Sequence, residues 1–340
     1  MEGTVTHIAS VACRVDTAEG MFKCALRRRL AESDTGESKP LAVGDRVKLQ
    51  PTGRGEGVIT EVLPRRSKLS RVVPEDPWSE HVIVANVDQL LIVSSVARPP
   101  LRVGLIDRYV IAAQKEGLRP ILCINKVDLA RPGAEHEQVA RLYGELGFPV
   151  LLTSAEDGTG VEALKDVLRD RSTALAGHSG TGKTSLINAV QPGLKLKVAP
   201  LRWKGMHCTS SVSLLKLEFG GYVVDTPGVR EFQPWDIEQR EVAQFFPEIW
   251  EISQRCAMPD CRHTHEPGCA VKDALERGEL PELRYKSYVG IMESVDRWRA
   301  PRHTDVEDPR RQVARSKRRA GRRTLKQRAR QWWEEDLEEP

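Results

Sequence analysis

Gly177-His178-Ser179-Gly180-Thr181-Gly182-Lys183-Thr184 fills every fixed position of the Gly-x4-Gly-Lys-Ser/Thr phosphate loop, the strongest constraint on fold in this 340-residue chain. Such a loop works between a buried strand and a helix. The strand aims it, its glycines let backbone N–H groups close around a phosphate, and the helix N-terminus adds favourable partial charge. The flanks agree, with Ala174-Leu175-Ala176 reading as the strand and Ser185 to Val190 as the helix. Lys183 is expected to reach the β- and γ-phosphates and Thr184 to ligate Mg²⁺, with Ser185 counted in the same nucleotide site.

Around this loop, apolar runs of strand length alternate with amphipathic stretches. Leu90–Val93, Ile121–Ile124, Val150–Leu152 and Tyr222–Val224 are the runs; Val103–Glu116, Glu135–Leu146 and Val161–Leu168 are the stretches. That alternation predicts a mostly parallel sheet with crossover helices. Three of the runs end in chemistry. Asn125-Lys126-Val127-Asp128 follows the second, and the Asp128 carboxylate can accept from guanine N1–H and the exocyclic amine together. Adenine would instead point a lone pair at it, and each buried polar group left unpaired costs about 1–3 kcal/mol. Thr153-Ser154-Ala155 follows the third run, where the Ala155 N–H is expected to reach the guanine O6 with Ser154 beside it. Asp225-Thr226-Pro227-Gly228 follows the fourth: Asp225 can hold Mg²⁺ and Gly228 can present its N–H to a γ-phosphate. Together these motifs predict GTP binding and hydrolysis.

Their order is permuted, since the guanine motif and its helper precede the phosphate loop. The site survives such rewiring because all its loops lie at one sheet edge, where strand ends meet, and domain termini often lie close together. The sensor Asp225–Gly228 then stands directly before the C-terminal region. Val229 follows Gly228 where many GTPases carry a water-orienting glutamine. A valine cannot orient water, so hydrolysis is expected to be slow alone or to use another group. His207, between phosphate loop and sensor, could position the attacking water; equally, it could pack or touch RNA.

Both ends of the chain differ from this middle. Thr4–Ile8, Arg46–Leu49 and Val58–Val62 read as strands, Gly44-Asp45 and Gly53-Arg54-Gly55 as hairpin turns, and Glu32 to Pro40 as a polar mobile loop. Short strands in so few residues suggest an oligonucleotide-binding barrel, although an SH3-like barrel would look similar. Beyond about Glu241 strands vanish and helical patterns take over. The seven cysteines do not form a disulfide framework: Cys13, Cys24, Cys123 and Cys208 are scattered, whereas Cys256, Cys261 and Cys269 crowd together. With a histidine they supply four ligands for a closed, structural zinc site, and either His263 or His265 could be the fourth. The net charge of +4 hides an asymmetry, because Arg297 to Arg330 holds fourteen basic against three acidic residues while the last ten residues carry five acids. That excess predicts a polyanionic partner. No apolar run approaches the roughly 20 residues that span a bilayer, and no secretory leader is evident, so a cytoplasmic protein without membrane contact is expected.

Taken together, the motif order and Cys256-x4-Cys261-x-His263-x5-Cys269 resemble the ribosome small-subunit-dependent GTPase A family (RsgA, also called YjeQ or YloQ), over nearly the whole chain. The resemblance implies an oligonucleotide-binding barrel, His263 as the fourth zinc ligand, and slow GTP hydrolysis stimulated by the small ribosomal subunit during its late maturation. It maps the family's switch histidine to His207 and its switch threonine to Thr209, although Met206 and Cys208 replace the usual Arg and first Thr of Gly-Arg-His-Thr-Thr. The expected architecture is multidomain α/β. An OB-fold barrel (1–78) precedes a circularly permuted P-loop GTPase domain (79–240), a helical zinc-binding domain (241–300) and a basic tail (301–340). The expected partners are GTP/GDP with Mg²⁺, one structural Zn²⁺, and the small ribosomal subunit with its rRNA, engaged by a monomer. The alternatives are a nucleotide-switched RNA-binding protein or RNA chaperone acting on a non-ribosomal RNA, and a non-catalytic adaptor shaped by GTP.

Overall fold

Alternating apolar residues close the first five strands on themselves. In the computed structural model, which describes residues 1–298 apart from 10–11, 28–36, 38, 74–75, 132, 134, 195, 197–211, 226–231 and 233, these are β1 (Glu2–Ile8), β2 (Cys13–Thr17), β3 (Gly20–Leu26), β4 (Arg46–Gly53) and β5 (Glu56–Val62). They pair in the order β1-β2-β3-β5-β4 and return to β1, with β3 and β5 parallel and the other pairs antiparallel. This five-stranded Greek-key barrel is of the oligonucleotide-binding kind. Val5, Val15, Cys24, Val47, Leu49 and Ile59 fill its interior, and Arg14 in β2 and Arg46 and Lys48 in β4 alternate with them as exposed positions. The turn at Gly53–Gly55 joins β4 to β5 as expected. Most of the Glu32–Pro40 loop lies outside the described residues.

A hairpin, β6 (Lys68–Val73) and β7 (Asp76–Ala85), follows the barrel. It corrects the expectation at Gly44-Asp45, which is not a hairpin turn. Gly44 instead packs against the end of β7, with positive φ (90°), and a Cβ there would stand 2.0 Å from the Ala85 carbonyl oxygen. Asp45, fully buried, receives Arg65 Nε at 2.7 Å. The close approach of two chain segments, not a reversal between paired strands, requires this glycine.

The central sheet contains β8 (Gln89–Ser95), β9 (Arg119–Asn125), β10 (Val150–Thr153), β11 (Ser172–Ala176), β12 (Ser213–Lys216) and β13 (Tyr222–Asp225), in the order β10-β9-β8-β11-β13-β12. The first five of that series run parallel, and β12 is antiparallel to β13. α1 (Val103–Lys115) and α2 (Glu135–Glu145) cover one face; α3 (Val161–Leu168) and α4 (Lys183–Val190) cover the other. β8 shows why its sequence is apolar throughout: Leu90 and Ile92 enter one core, Leu91 and Val93 the other.

The C-terminal region holds α5 (Gln239–Val242), α6 (Pro247–Ser253), α7 (Ala270–Glu276) and α8 (Glu282–Trp298). Among the described residues no named strand follows β13. Its core, built on Phe246, Ile249, Val271, Tyr288 and Ile291, also takes in Ile111 of α1. At the opposite edge β12 pairs with β1 of the barrel through His7 and Ser213, whose Nδ1 and Oγ lie 3.1 Å apart. Among the described residues no helix is long and apolar enough to cross a membrane.

Candidate nucleotide site and cysteine cluster

The phosphate loop, the Asn125–Asp128 loop and the Thr153–Ala155 loop lie at the carboxyl ends of parallel strands. The phosphate loop leaves β11 after Ala176, beside Ile92 of β8. Asn125 ends β9, in register with Ser95 of β8 and Thr153 of β10. Asp225 ends β13, opposite Leu175 of β11, which places its backbone beside the entry to the loop.

Hydrogen bonds join the two permuted halves. The Asn125 amide donates to the Thr181 carbonyl at 2.9 Å and accepts from Thr153 Oγ1 at 3.2 Å. The Lys126 ammonium donates to the carbonyls of Gly180, at 2.7 Å, and Arg98, at 2.5 Å. Lys126 reaches this position with a left-handed backbone (φ 66°), which costs a non-glycine residue roughly 1–2 kcal/mol. Partial burial lowers its pKa, countered in part by Asp128. Gly177 and Gly182 also have positive φ; a Cβ on the first would strike the Val93 carbonyl oxygen at 2.1 Å, and on the second the Asn125 amide nitrogen at 2.3 Å.

Lys183, almost fully buried at the start of α4, donates to the carbonyls of Gly177 and His178 at 3.0 and 3.2 Å. Its ammonium therefore spans the loop. Thr184 and Ser185 follow, both half-buried, while Ser179 is exposed. Ser154, fully buried, donates to Asp128 Oδ1 at 2.7 Å and accepts the Glu156 and Asp157 N–H groups at 3.2 and 3.3 Å. One hydroxyl thus shapes the loop carrying Ala155 and orients the Asp128 carboxylate. A hydroxyl at Thr184 and a carboxylate at position 225 are the hard oxygen donors that Mg²⁺ takes. His207, Thr209 and Gly228 lie outside the described residues, as do Val229 and the basic tail.

The cysteine cluster is equally compact. The ligand atoms of Cys256, Cys261, His263 and Cys269 all lie within 4.8 Å of one another. His263 Nδ1 is 3.5 Å from Cys256 Sγ and 3.6 Å from Cys269 Sγ, close to the edge of about 3.6 Å that tetrahedral Zn–S and Zn–N bonds generate. His265 is exposed and bonds Thr264 instead, so of the two histidines it is His263 that joins the thiols. Burial, with the neighbouring thiols, pushes the Cys261 thiol up to about 12; a bound cation is what makes thiolates favourable in such a cluster. Sequence reasoning missed what shapes this loop. Glu266 accepts N–H groups from Arg262, Thr264 and His265 at 2.9–3.1 Å, and the hydroxyls of Tyr285 and Tyr288 hold the carbonyls of His263 and Arg262. A lone acid and two helical tyrosines carry no motif that would have revealed this.

A phosphate loop after β11 and a guanine-type loop after β9, on a parallel sheet whose β8–β10 precede β11 in the chain, define a circularly permuted P-loop GTPase. The family model described as RsgA GTPase matches residues 62–235. The chain is 40% identical over 302 residues to the small ribosomal subunit biogenesis GTPase RsgA of Gemmatimonas aurantiaca, covering 86% of this chain and 97% of that one. The protein of the same name from Chlorobaculum tepidum is 38% identical, with coverage of 87% and 98%. Among solved structures, YjeQ from Thermotoga maritima superposes with a TM-score of 0.68 at 36% identity, covering 86% of this chain and 98% of that one. YloQ, a circularly permuted GTPase, gives 0.63 at 32%, with coverage of 89% and 96%. The chain belongs to the RsgA GTPase family and is a GTP hydrolase.

Proposed function

We propose that this protein docks on the small ribosomal subunit in the cytoplasm and hydrolyses GTP there, in a subunit-stimulated manner, late in subunit maturation. The observation that carries the reading is the grip of Asn125 and Lys126 on Thr181 and Gly180, which joins the two halves of a permuted chain, like that of YloQ, into one nucleotide site. In this site Asp128 reads the guanine N1–H and amine, and Ala155 N–H the O6. The 177–185 loop holds the phosphates, with Lys183 on the β- and γ-oxygens. Thr184 and Asp225 would hold Mg²⁺ with Thr209 of the switch, and the Gly228 N–H would meet the γ-phosphate. Bound Mg²⁺ supplies charge neutralisation across those phosphates. His207 positions the attacking water, because Val229 cannot. Cys256, Cys261, His263 and Cys269 hold one structural Zn²⁺. The barrel, zinc region and tail, divided near residues 78, 240 and 300, are the RNA-facing parts of a monomer.

Turnover with and without purified small subunits tests the proposal. Stimulation by subunits but not by unrelated RNA of equal length is the expected result. Equal stimulation by any RNA would replace the ribosome with a general RNA partner.

A further inference from the structure

The helices flanking the guanine loop are tied to the C-terminal region through one arginine. Arg284, on α8, is 1% exposed. Its Nη1 donates to Asp107 Oδ1 on α1 and lies 3.5 Å from the Tyr143 hydroxyl on α2. Tyr143 also donates to Asp107 Oδ1, at 2.5 Å. Arg284 Nε donates to Glu248 Oε1 on α6 at 2.5 Å. The guanidinium carbon sits 4.3 Å from the Phe246 ring centroid and 5.4 Å from that of Tyr143. Two helices of the GTPase sheet and two of the C-terminal region therefore meet on one side chain.

Stability alone does not account for this arrangement. Desolvating an ion pair often costs as much as its attraction returns. Here Nη2 of Arg284 and Oε2 of Glu248 are buried with no hydrogen-bond partner among the described residues, and incomplete satisfaction adds to the cost. What a planar guanidinium supplies over an apolar side chain is direction. The two helices it directs flank the guanine loop: α1 begins just past Arg98, whose carbonyl takes the Lys126 ammonium, and α2 begins at Glu135, shortly after Asp128.

We propose that Arg284 is a positioning residue for guanine recognition. Acting through Asp107 and Tyr143, it fixes α1 and α2, and with them the Asn125–Asp128 loop, relative to the phosphate loop. The C-terminal region thereby sets how tightly the base is held. This rests on the reading of Asp128 as the guanine contact.

The test uses the full-length protein with Arg284→Lys, which keeps the charge and loses the fork, and Asp107→Asn. Release of GDP is compared with release of IDP, whose base lacks the amine that Asp128 reads. GDP release should quicken about tenfold and IDP release about threefold or less, narrowing the discrimination; KM for GTP should rise while kcat changes less than about twofold. The triple variant Arg284→Met/Asp107→Leu/Glu248→Leu, which replaces every charged member of the cluster by an apolar side chain and so leaves no buried charge unpaired, should show the same narrowing. A folded variant with the wild-type GDP-to-IDP ratio overturns the proposal. Asp128→Asn is measured alongside: if its preference fails to move from guanine to xanthine, the base reading falls and this inference with it. If it does move while the ratio in the Arg284 variants stays unchanged, only this inference falls.

Discussion

Asp128 does not stand alone in its loop. The Ser154 hydroxyl donates to its Oδ1 while accepting two backbone N–H groups, so the carboxylate's orientation and the path of the 154–157 backbone depend on one side chain. Ser154→Ala should weaken GTP binding about tenfold, the loss expected for roughly one charge-assisted hydrogen bond, with kcat at saturation nearly unchanged; titration and steady-state kinetics separate the two. Asp128→Asn should lose GTP and gain xanthosine triphosphate, since the amide can donate to the carbonyl that replaces the guanine amine. Competition between the two nucleotides measures it, and an undiminished preference for GTP would remove Asp128 from the base pocket. His207→Ala should leave GTP affinity near wild type and cut subunit-stimulated turnover about 10²–10⁴-fold, the range for a positioned acid–base group. A loss below about threefold in stimulated assays would give His207 a packing role instead.

At the scale of elements, the cysteine loop lies between α6 and α7 and is fastened to α8 by Tyr285 and Tyr288. Cys269 belongs to the same apolar core as Val271 and Ile291. Removing the metal should therefore loosen the helices and not merely the loop. One equivalent of zinc is expected in purified protein by elemental analysis, and Cys261→Ser should unfold the C-terminal region while nucleotide still binds the sheet domain. Zinc-free native protein would exclude the site. This region was largely legible because its ligands are close in sequence, as were β8 and β9, whose apolar runs are unbroken because both faces are buried, and α1, whose apolar period is regular. The hairpin β6–β7 was not read. Its register shifts between Leu69 and Ser70 and again between Arg71 and Val73, and Leu69 and Ser70 are both buried, so the two-residue alternation is lost. β2 was missed although Cys13 and Val15 alternate with Arg14 and Asp16 before the Gly20 turn; there the signal was present. The Arg284–Asp107 contact joins positions 177 residues apart, and single charges on two helices carry no local sign of their pairing.

Across the whole molecule, charge is distributed as unevenly as structure. Arg310 to Arg330 contains eleven basic residues and no acid, in a segment outside the described residues. Helical spacing would spread those cations round most of a cylinder and leave no single apolar face to dock on the protein's own cores. Phosphate is the partner such a segment suits. Each phosphate it neutralises releases condensed counterions, so binding should weaken steeply with salt. Deleting residues 309–340 should weaken small-subunit binding and flatten its salt dependence, by roughly one in log–log slope for each phosphate no longer neutralised. Intrinsic GTP affinity and unstimulated hydrolysis should stay unchanged, because the nucleotide site lies wholly before the tail. Trp332 and Trp333 could stack on exposed bases, adding about 1–3 kcal/mol each. The acidic end, Glu334 to Glu339, opposes the cations and could mask them, in which case removing residues 334–340 alone should strengthen binding. Titrations of both truncations at several salt concentrations decide between these outcomes, and an identical salt slope for full-length and truncated protein would show that the tail does not touch RNA.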